Sequence, residues 1–163
     1  MKAKPMDETT QALLDRARRY CALSEQCESG VRQKLISWGA SPAAMDVVVA
    51  HLRSEDYLND VRYARTYCES KILQQHWSKQ KVLYQLRIKH LAKDAIEDGL
   101  SMVDEETYMN ILKEEAAKKI HLLGGELSPE VYRKLLSFLS SRGYTAQEIN
   151  KALEGDLPKV DNL

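Results

Sequence analysis

Chemistry in a chain of this kind would rest on histidines, cysteines, paired carboxylates or a glycine-rich phosphate loop. None of these occurs here at a working spacing. His51, His76, His90 and His121 are scattered, without the i, i+4 pair and intervening Glu that holds zinc on a helix. Cys21, Cys27 and Cys68 are odd in number and form no Cys-x-x-Cys, so they read as small, half-buried, reduced thiols. There is no Gly-x-Ser-x-Gly elbow. Gly124-Gly125 has no Lys-Ser/Thr behind it and reads as a helix break. Asp104-Glu105-Glu106 and Glu114-Glu115 read as solvated helix ends or faces. The expectation is a binding protein, not an enzyme, with no catalytic residue, metal or cofactor.

The residues best suited to binding lie in the middle of the chain. No acidic residue occurs between Glu69 and Asp94, while Lys71, Lys79, Lys81, Arg87, Lys89 and Lys93 all fall at or inside that window. On a helix turning 100° per residue, Val82, Leu83 and Leu86 share the buried side. Lys81, Tyr84 and Ile88 then point away, with Arg87 and Lys89 on the flanks. An outward Tyr and Ile among cations suits base stacking beside phosphate contacts, or an aromatic anchor at a protein interface. Packing of Tyr84 and Ile88 against a neighbouring helical unit is the plainer alternative. Trp38 closes an amphipathic pattern and reads as core. Trp77 is a staple between helices or an exposed contact.

Net charge is zero overall but uneven. Residues 56–103 carry eight basic against six acidic side chains, and residues 104–163 eight against eleven. That permits an anionic partner at the middle without making the chain a general polyanion binder. The longest apolar run, around Val47-Val48-Val49-Ala50, is far short of the roughly 20 residues that cross a bilayer. No apolar stretch follows Met1-Lys2-Ala3-Lys4-Pro5, so no secretory signal is visible. A cytoplasmic protein is expected.

The elements that must position the basic window are all helical. No segment alternates apolar and polar residues as a strand does. Helical periodicity recurs between cap and break residues. Thr9–Leu23 is the first helix, and the second carries Val31, Leu35 and Ile36 to Trp38 and Gly39. Ser41-Pro42 opens a third. Asn59 or Asp60 caps a helix reaching about Gln75, and Ser78 caps Lys79–His90. A short helix follows over Lys93–Met102. Asp104 caps a helix to about Leu123, Ser128-Pro129 repeats the cap-plus-Pro device, and Thr145–Glu148 has capping-box spacing.

These nine helices read as three copies of one three-helix unit, in residues 8–55, 56–103 and 104–154, with a frayed tail over 155–163. Leu86, His90, Ile96 and Leu100 correspond to Leu139, Gly143, Ile149 and Leu153. In the first copy Leu35 and Gly39 keep the step, but about three extra residues are needed before Val48 and Leu52 align. The period is 51 to 53 residues, from Leu35 to Leu86 to Leu139. A unit of that size is marginal alone, so stacking on a neighbour is expected to complete each core. The fold class is therefore all-α, an elongated array of tandem repeats open to curvature.

Several of these residues resemble the RecX family. They are Ala17, Leu23-Ser24, Val31-Arg32-Gln33-Lys34-Leu35 with Gly39, then Leu52. The most specific run is Tyr57-Leu58-Asn59-Asp60-Val61-Arg62-Tyr63-Ala64. Lys81-Val82-Leu83-Tyr84-Gln85-Leu86 with Lys89-His90-Leu91 looks like the family's second-unit helix pair. Two departures stand out: a Gly is usual where His90 stands, and another is missing around His76-Trp77. The resemblance implies tandem three-helix repeats and a regulator of the RecA recombinase in homologous recombination, DNA repair and the SOS response. It implies binding along the groove of the RecA–single-stranded DNA filament, as a monomer, to limit ATP hydrolysis, filament extension and strand exchange. Cations of the second unit would face DNA phosphate or acidic RecA surface, so charge reversal at Lys79, Lys81, Arg87 and Lys89 should weaken inhibition, and binding should fall with salt. A helical DNA-binding module or a protein adaptor acting without RecA are the alternatives.

Overall fold

The computed structural model describes residues 5–160. Met1–Lys4, where the secretory-signal reading falls, and residues 161–163 lie outside the described residues. Among the described residues there are nine α-helices and no strand: α1 (Glu8–Leu23), α2 (Glu28–Ser37), α3 (Pro42–Ser54), α4 (Asp60–Cys68), α5 (Lys79–Ile88), α6 (Lys93–Ser101), α7 (Glu105–Leu122), α8 (Pro129–Ser141) and α9 (Ala146–Leu153). A π-helical segment, Glu69–Gln74, continues α4. No described helix is long and apolar enough to cross a membrane.

Helix starts are set by side chains that accept from otherwise unpaired first-turn N–H groups. Ser41 accepts from Ala44 N (3.1 Å), Asn59 from Arg62 N (3.0 Å), Ser78 from Lys81 N (3.1 Å), Asp104 from Thr107 N (2.7 Å) and Ser128 from Val131 N (3.2 Å). Thr145 and Glu148 form the reciprocal capping box. Asn59 is thus the cap, which leaves Asp60 for another task.

The repeat is visible in the ends of α2, α5 and α8. Gly39, His90 and Gly143 hold φ of 85°, 59° and 96°. After each, a backbone bond reaches back over the last turn: Ala40 N to Leu35 O (2.9 Å), Leu91 N to Leu86 O (3.3 Å) and Tyr144 N to Leu139 O (3.2 Å). This is the left-handed helix stop that satisfies terminal carbonyls. The next helix is capped two residues later in every case, at Ser41, Ala92 and Thr145. The first copy therefore needs no insertion before its last helix. Met45 and Val49, not Val48 and Leu52, stand opposite Ile96 and Leu100. The extra length lies at the C-terminal end of α3, which has 13 residues against 9 in α6 and 8 in α9.

Two apolar cores result. Leu13, Leu14, Ala17, Val31, Leu35, Val48, Val49, Leu52 and Leu58 close the first, within α1–α3. The second is shared by everything from α4 onward, with Ile72, Val82, Leu86, Leu112, Leu135, Leu139 and Ile149 fully enclosed. Cys27, at the start of α2, reaches into this second core. The tail does not simply fray after α9: Leu157 packs against the second core, because α7 and Gly125 leave an apolar hollow there.

Candidate partner-binding surface

The Tyr57–Ala64 run forms the joint between the two cores. Leu58 is buried in the first, Ala64 in the second. Between them Arg62 donates to Glu25 and Asp56 and to the Asp56 carbonyl at 2.7 Å. Asp60 accepts from Arg53 of α3 at 3.3 Å and from the Ala92 N–H at 3.2 Å, which ties α3 to the α5–α6 turn. Tyr63 stacks on Tyr67 with ring centroids 5.9 Å apart. Burial, and behind it the nearby Cys27, Tyr67 and Tyr20, pushes the Tyr63 phenol well above its ordinary range. Leu58, Asp60, Arg62 and Ala64 are thus joint-makers, while Asn59 caps α4.

The second joint, where the middle unit meets α7–α9 over the shared apolar core, also carries polar ties. Ser78 N donates to the Arg142 carbonyl (2.9 Å), Tyr144 OH to the His76 carbonyl (2.9 Å), and Tyr108 OH to Glu148 (2.8 Å). Glu115 sits within it, paired with His76 Nδ1 and with Arg142 at 3.4 Å. The expectation of a solvated Glu114-Glu115 face holds for Glu114 alone. Glu115 is buried with its carboxylate hydrogen-bonded to His76 Nδ1 and beside the Arg142 guanidinium. Among the described residues no hydroxyl or thiol is hydrogen-bonded to the side chains of the His76–Glu115 pair. Burial raises the Cys21 and Cys68 thiols to about 11, which leaves them as thiols at neutral pH. No cluster of metal ligands occurs among the described residues.

The basic window divides in two. Lys79 turns inward: its side chain is 19% exposed, donates to the Val103 carbonyl, and lies 3.4 Å from Glu105. Its expected role toward a partner gives way to holding α5 on α7. Lys81 also reaches the third unit, donating to the Ser141 carbonyl at 3.1 Å, and lies 4.2 Å over the Trp77 ring. Lys71 covers the same ring at 4.6 Å. Trp77 is therefore a half-buried staple against the second core with cations on its face. Lys93 is exposed and 3.8 Å from Glu97.

Arg87 and Lys89 make no ion pair among the described residues. Beside them Tyr84 is 64% and Ile88 52% exposed. They do not pack on a neighbouring unit. Repeat-equivalent positions, counted from Leu35, Leu86 and Leu139, carry Gln33 and Ser37 in the first unit and Ser137 and Ser141 in the third. The outward apolar pair belongs to the middle unit alone. Around the corner a groove between α5 and α6 is floored by Leu91, Ile96 and Leu100 and rimmed by Arg87, Lys93 and Glu97.

A second set of cations lies elsewhere, with no sequence signal to join it. Arg16 of α1 lies 4.2 Å over Trp38, and Lys34 of α2 lies 5.5 Å over Tyr20. Trp38 leans on the first core, as read, but is only half-buried there.

A model of the second three-helix domain of RecX matches residues 59–100, the span from the signature to α6. The chain is 28% identical to Regulatory protein RecX of Prosthecochloris aestuarii, over 91% of its own length and 95% of that protein. It is 29% identical to Regulatory protein RecX of Clostridium acetobutylicum over 143 residues, 85% of this chain, and spans 66% of that relative's length. A crystal structure of RecX from Lactobacillus salivarius superposes with a TM-score of 0.79 at 16% identity, over 91% of this chain and 97% of that one. Its likeness carries the fold, and the matched domain and the relatives in sequence make this chain similar to RecX regulatory proteins over most of its length.

Proposed function

We propose that the chain is a regulator that binds the RecA–single-stranded DNA filament as a monomer and limits its ATP hydrolysis, extension and strand exchange. The exposed Tyr84–Ile88 pair carries the reading. A solvated helix gains nothing from two large apolar side chains on its outer face, and the other two copies of this helix have polar residues there. With unpaired Arg87 and Lys89 alongside, the face suits a partner that offers both an apolar pocket and negative charge. Lys79 is not part of it, since its ammonium is already engaged inside the molecule.

The test is the steady-state ATPase of RecA on single-stranded DNA with this protein titrated in. Inhibition well below one copy per RecA is expected. Tyr84→Ala with Ile88→Ala should raise the concentration for half-inhibition about tenfold or more, as a truncated anchor does. Arg87→Glu should do likewise and flatten the salt dependence. All these residues are exposed, so folding should be unchanged. A folded protein without effect on the ATPase would return the function to a DNA-binding or adaptor role.

A further inference from the structure

Counted from Leu35, Leu86 and Leu139, the three units place Asp46, Glu97 and Asn150 at one equivalent position on their last helices. In the first unit Arg32 of α2 holds Asp46 at 2.9 Å, which ties α2 to α3 across the gap between them. In the third unit the Tyr132 hydroxyl donates to Asn150 at 2.6 Å and ties α8 to α9. The middle unit has no such tie among the described residues. Leu83 stands where the first unit has Arg32, and Glu97 turns along its own helix toward Lys93, 3.8 Å away. The space between α5 and α6 is left open, with a volume of about 330 Å³. Leu83, Leu91, Ile96 and Leu100 floor it, and no aromatic ring lines it. Its rim carries the exposed Lys93 and Arg87, which makes no ion pair among the described residues.

We propose that this groove receives one amphipathic α-helix of the partner protein, whose apolar side chains enter between α5 and α6 while a carboxylate beside them meets Arg87. A gap between two helices takes side chains spaced one helical turn apart on a third. The described residues hold no strand edge for an extended peptide to join. The volume is at the small end of the roughly 300–1,000 Å³ of ligand pockets, which suits a pair of aliphatic side chains rather than a bulky cofactor. Without a ring, the groove lacks the stacking platform that holds a nucleic acid strand. Charge sets the sign of the partner, because two cations face one acid on the rim. Leu83 and Leu100 are only half-buried, so docking removes apolar surface from water. Arg87 borders both this groove and the Tyr84–Ile88 face, so a single partner engages both. The inference deepens the filament reading and rests on it only for the identity of the partner.

The first unit supplies the means to close the groove. Leu83→Arg with Glu97→Asp transplants the Arg32–Asp46 tie onto α5 and α6 and leaves Tyr84, Ile88 and Arg87 as they are. With folding checked by circular dichroism, this variant should need about tenfold more protein for half-inhibition of the RecA ATPase. Glu97→Lys, at an exposed position, removes the rim's one acid without touching the floor and should lower that concentration several-fold. Without RecA, a helical peptide with leucines one turn apart among glutamates is titrated into the full chain and followed by methyl NMR. The Leu91, Ile96 and Leu100 methyls should shift, less so with added salt. They should stay still in the closed variant and with a peptide carrying lysines for glutamates. No shift with the glutamate peptide, equal binding of the lysine peptide, or oligo(dT) moving these methyls in its place would overturn the proposal. Inhibition at full strength by the closed variant sinks the groove alone. Peptide binding by a wild-type protein that leaves the ATPase untouched sinks the filament reading alone.

Discussion

At the scale of single residues, two histidines that hold a backbone conformation suited to glycine are informative. His76 and His90 both stand in the left-handed region, with φ of 59° each. Gly39 and Gly143 fill the place of His90 in the other two units. A side chain with a Cβ pays about 1–2 kcal/mol there, while glycine gives back about 0.4–1 kcal/mol through a freer unfolded chain. His90→Gly is therefore expected to stabilise by up to about 1.6 kcal/mol. His90→Val, β-branched and least tolerant of positive φ, should lose about 1–2 kcal/mol. Urea midpoints of the two variants decide it. Equal stability of both would mean that the helix stop after Leu86 does not need the left-handed turn. His76 would not respond as simply, because its imidazole also pairs with Glu115.

At the scale of elements, α4 and α6 cross at their closest over Gly99. A Cβ at that position would fall 2.9 Å from the Ala64 carbonyl oxygen and 3.1 Å from the Ala64 Cβ. Backbone cannot yield as a flexible side chain does, so Gly99→Ala should force the helices apart at a cost of about 1–3 kcal/mol. Gly30→Ala in α2 is the matched control. Its new methyl would meet only Cys27 Sγ at an ordinary 3.4 Å, and loss of a helical glycine should stabilise by about 0.5–1 kcal/mol. Thermal melts of opposite sign would establish the α4–α6 contact as the tight one. The π-helical segment matters at the same scale. Gln75 N bonds to Ser70 O at 3.0 Å and Trp77 N to Lys71 O at 2.8 Å. That wider turn keeps Ile72 in the core while bringing Trp77 back beneath Lys71.

At the scale of the whole molecule, the middle unit shares its core with the third and is pinned to the first by ion pairs. Several carboxylates within the first two units are held below their ordinary range. The Arg18 hydrogen bond depresses Glu55, the Asn59 hydrogen bond with Arg62 behind it depresses Asp56, and the Arg65 hydrogen bond depresses Asp98. Burial opposes the shift in Glu28, yet Arg53 and Arg32 still carry it downward. A depressed carboxylate stabilises the fold above its unfolded value, near about 4, and the gain is lost as pH falls through the folded value. The arginine partners stay charged throughout. Melting temperature should thus hold through neutral pH and drop only as the solution is acidified below the ordinary carboxylate range. Added salt at neutral pH should soften the joint but leave the apolar cores intact. A melting temperature that changes between neutral and mildly acidic pH would point instead to the histidines.

Helices, caps and the repeat could be read from the amino acids alone because they are local. Ser41, Asn59, Ser78, Asp104, Ser128 and Thr145 act on N–H groups three residues away, and Leu35, Leu86 and Leu139 mark one face of one recurring helix. The outward placement of Tyr84 and Ile88 followed from the same periodicity. What each cation does was not local. Lys79, Lys81 and Arg87 look alike in the basic window, yet the first is enclosed between α5 and α7, the second reaches α8, and the third is unpaired. Arg16 and Lys34 met Trp38 and Tyr20 only through the packing of α1 on α2. Charge pairing depends on how one helix is rotated against another, and that rotation is set by the two cores together. A helical period describes one helix at a time, so only the tertiary structure could separate the cations spent inside the molecule from those left for a partner.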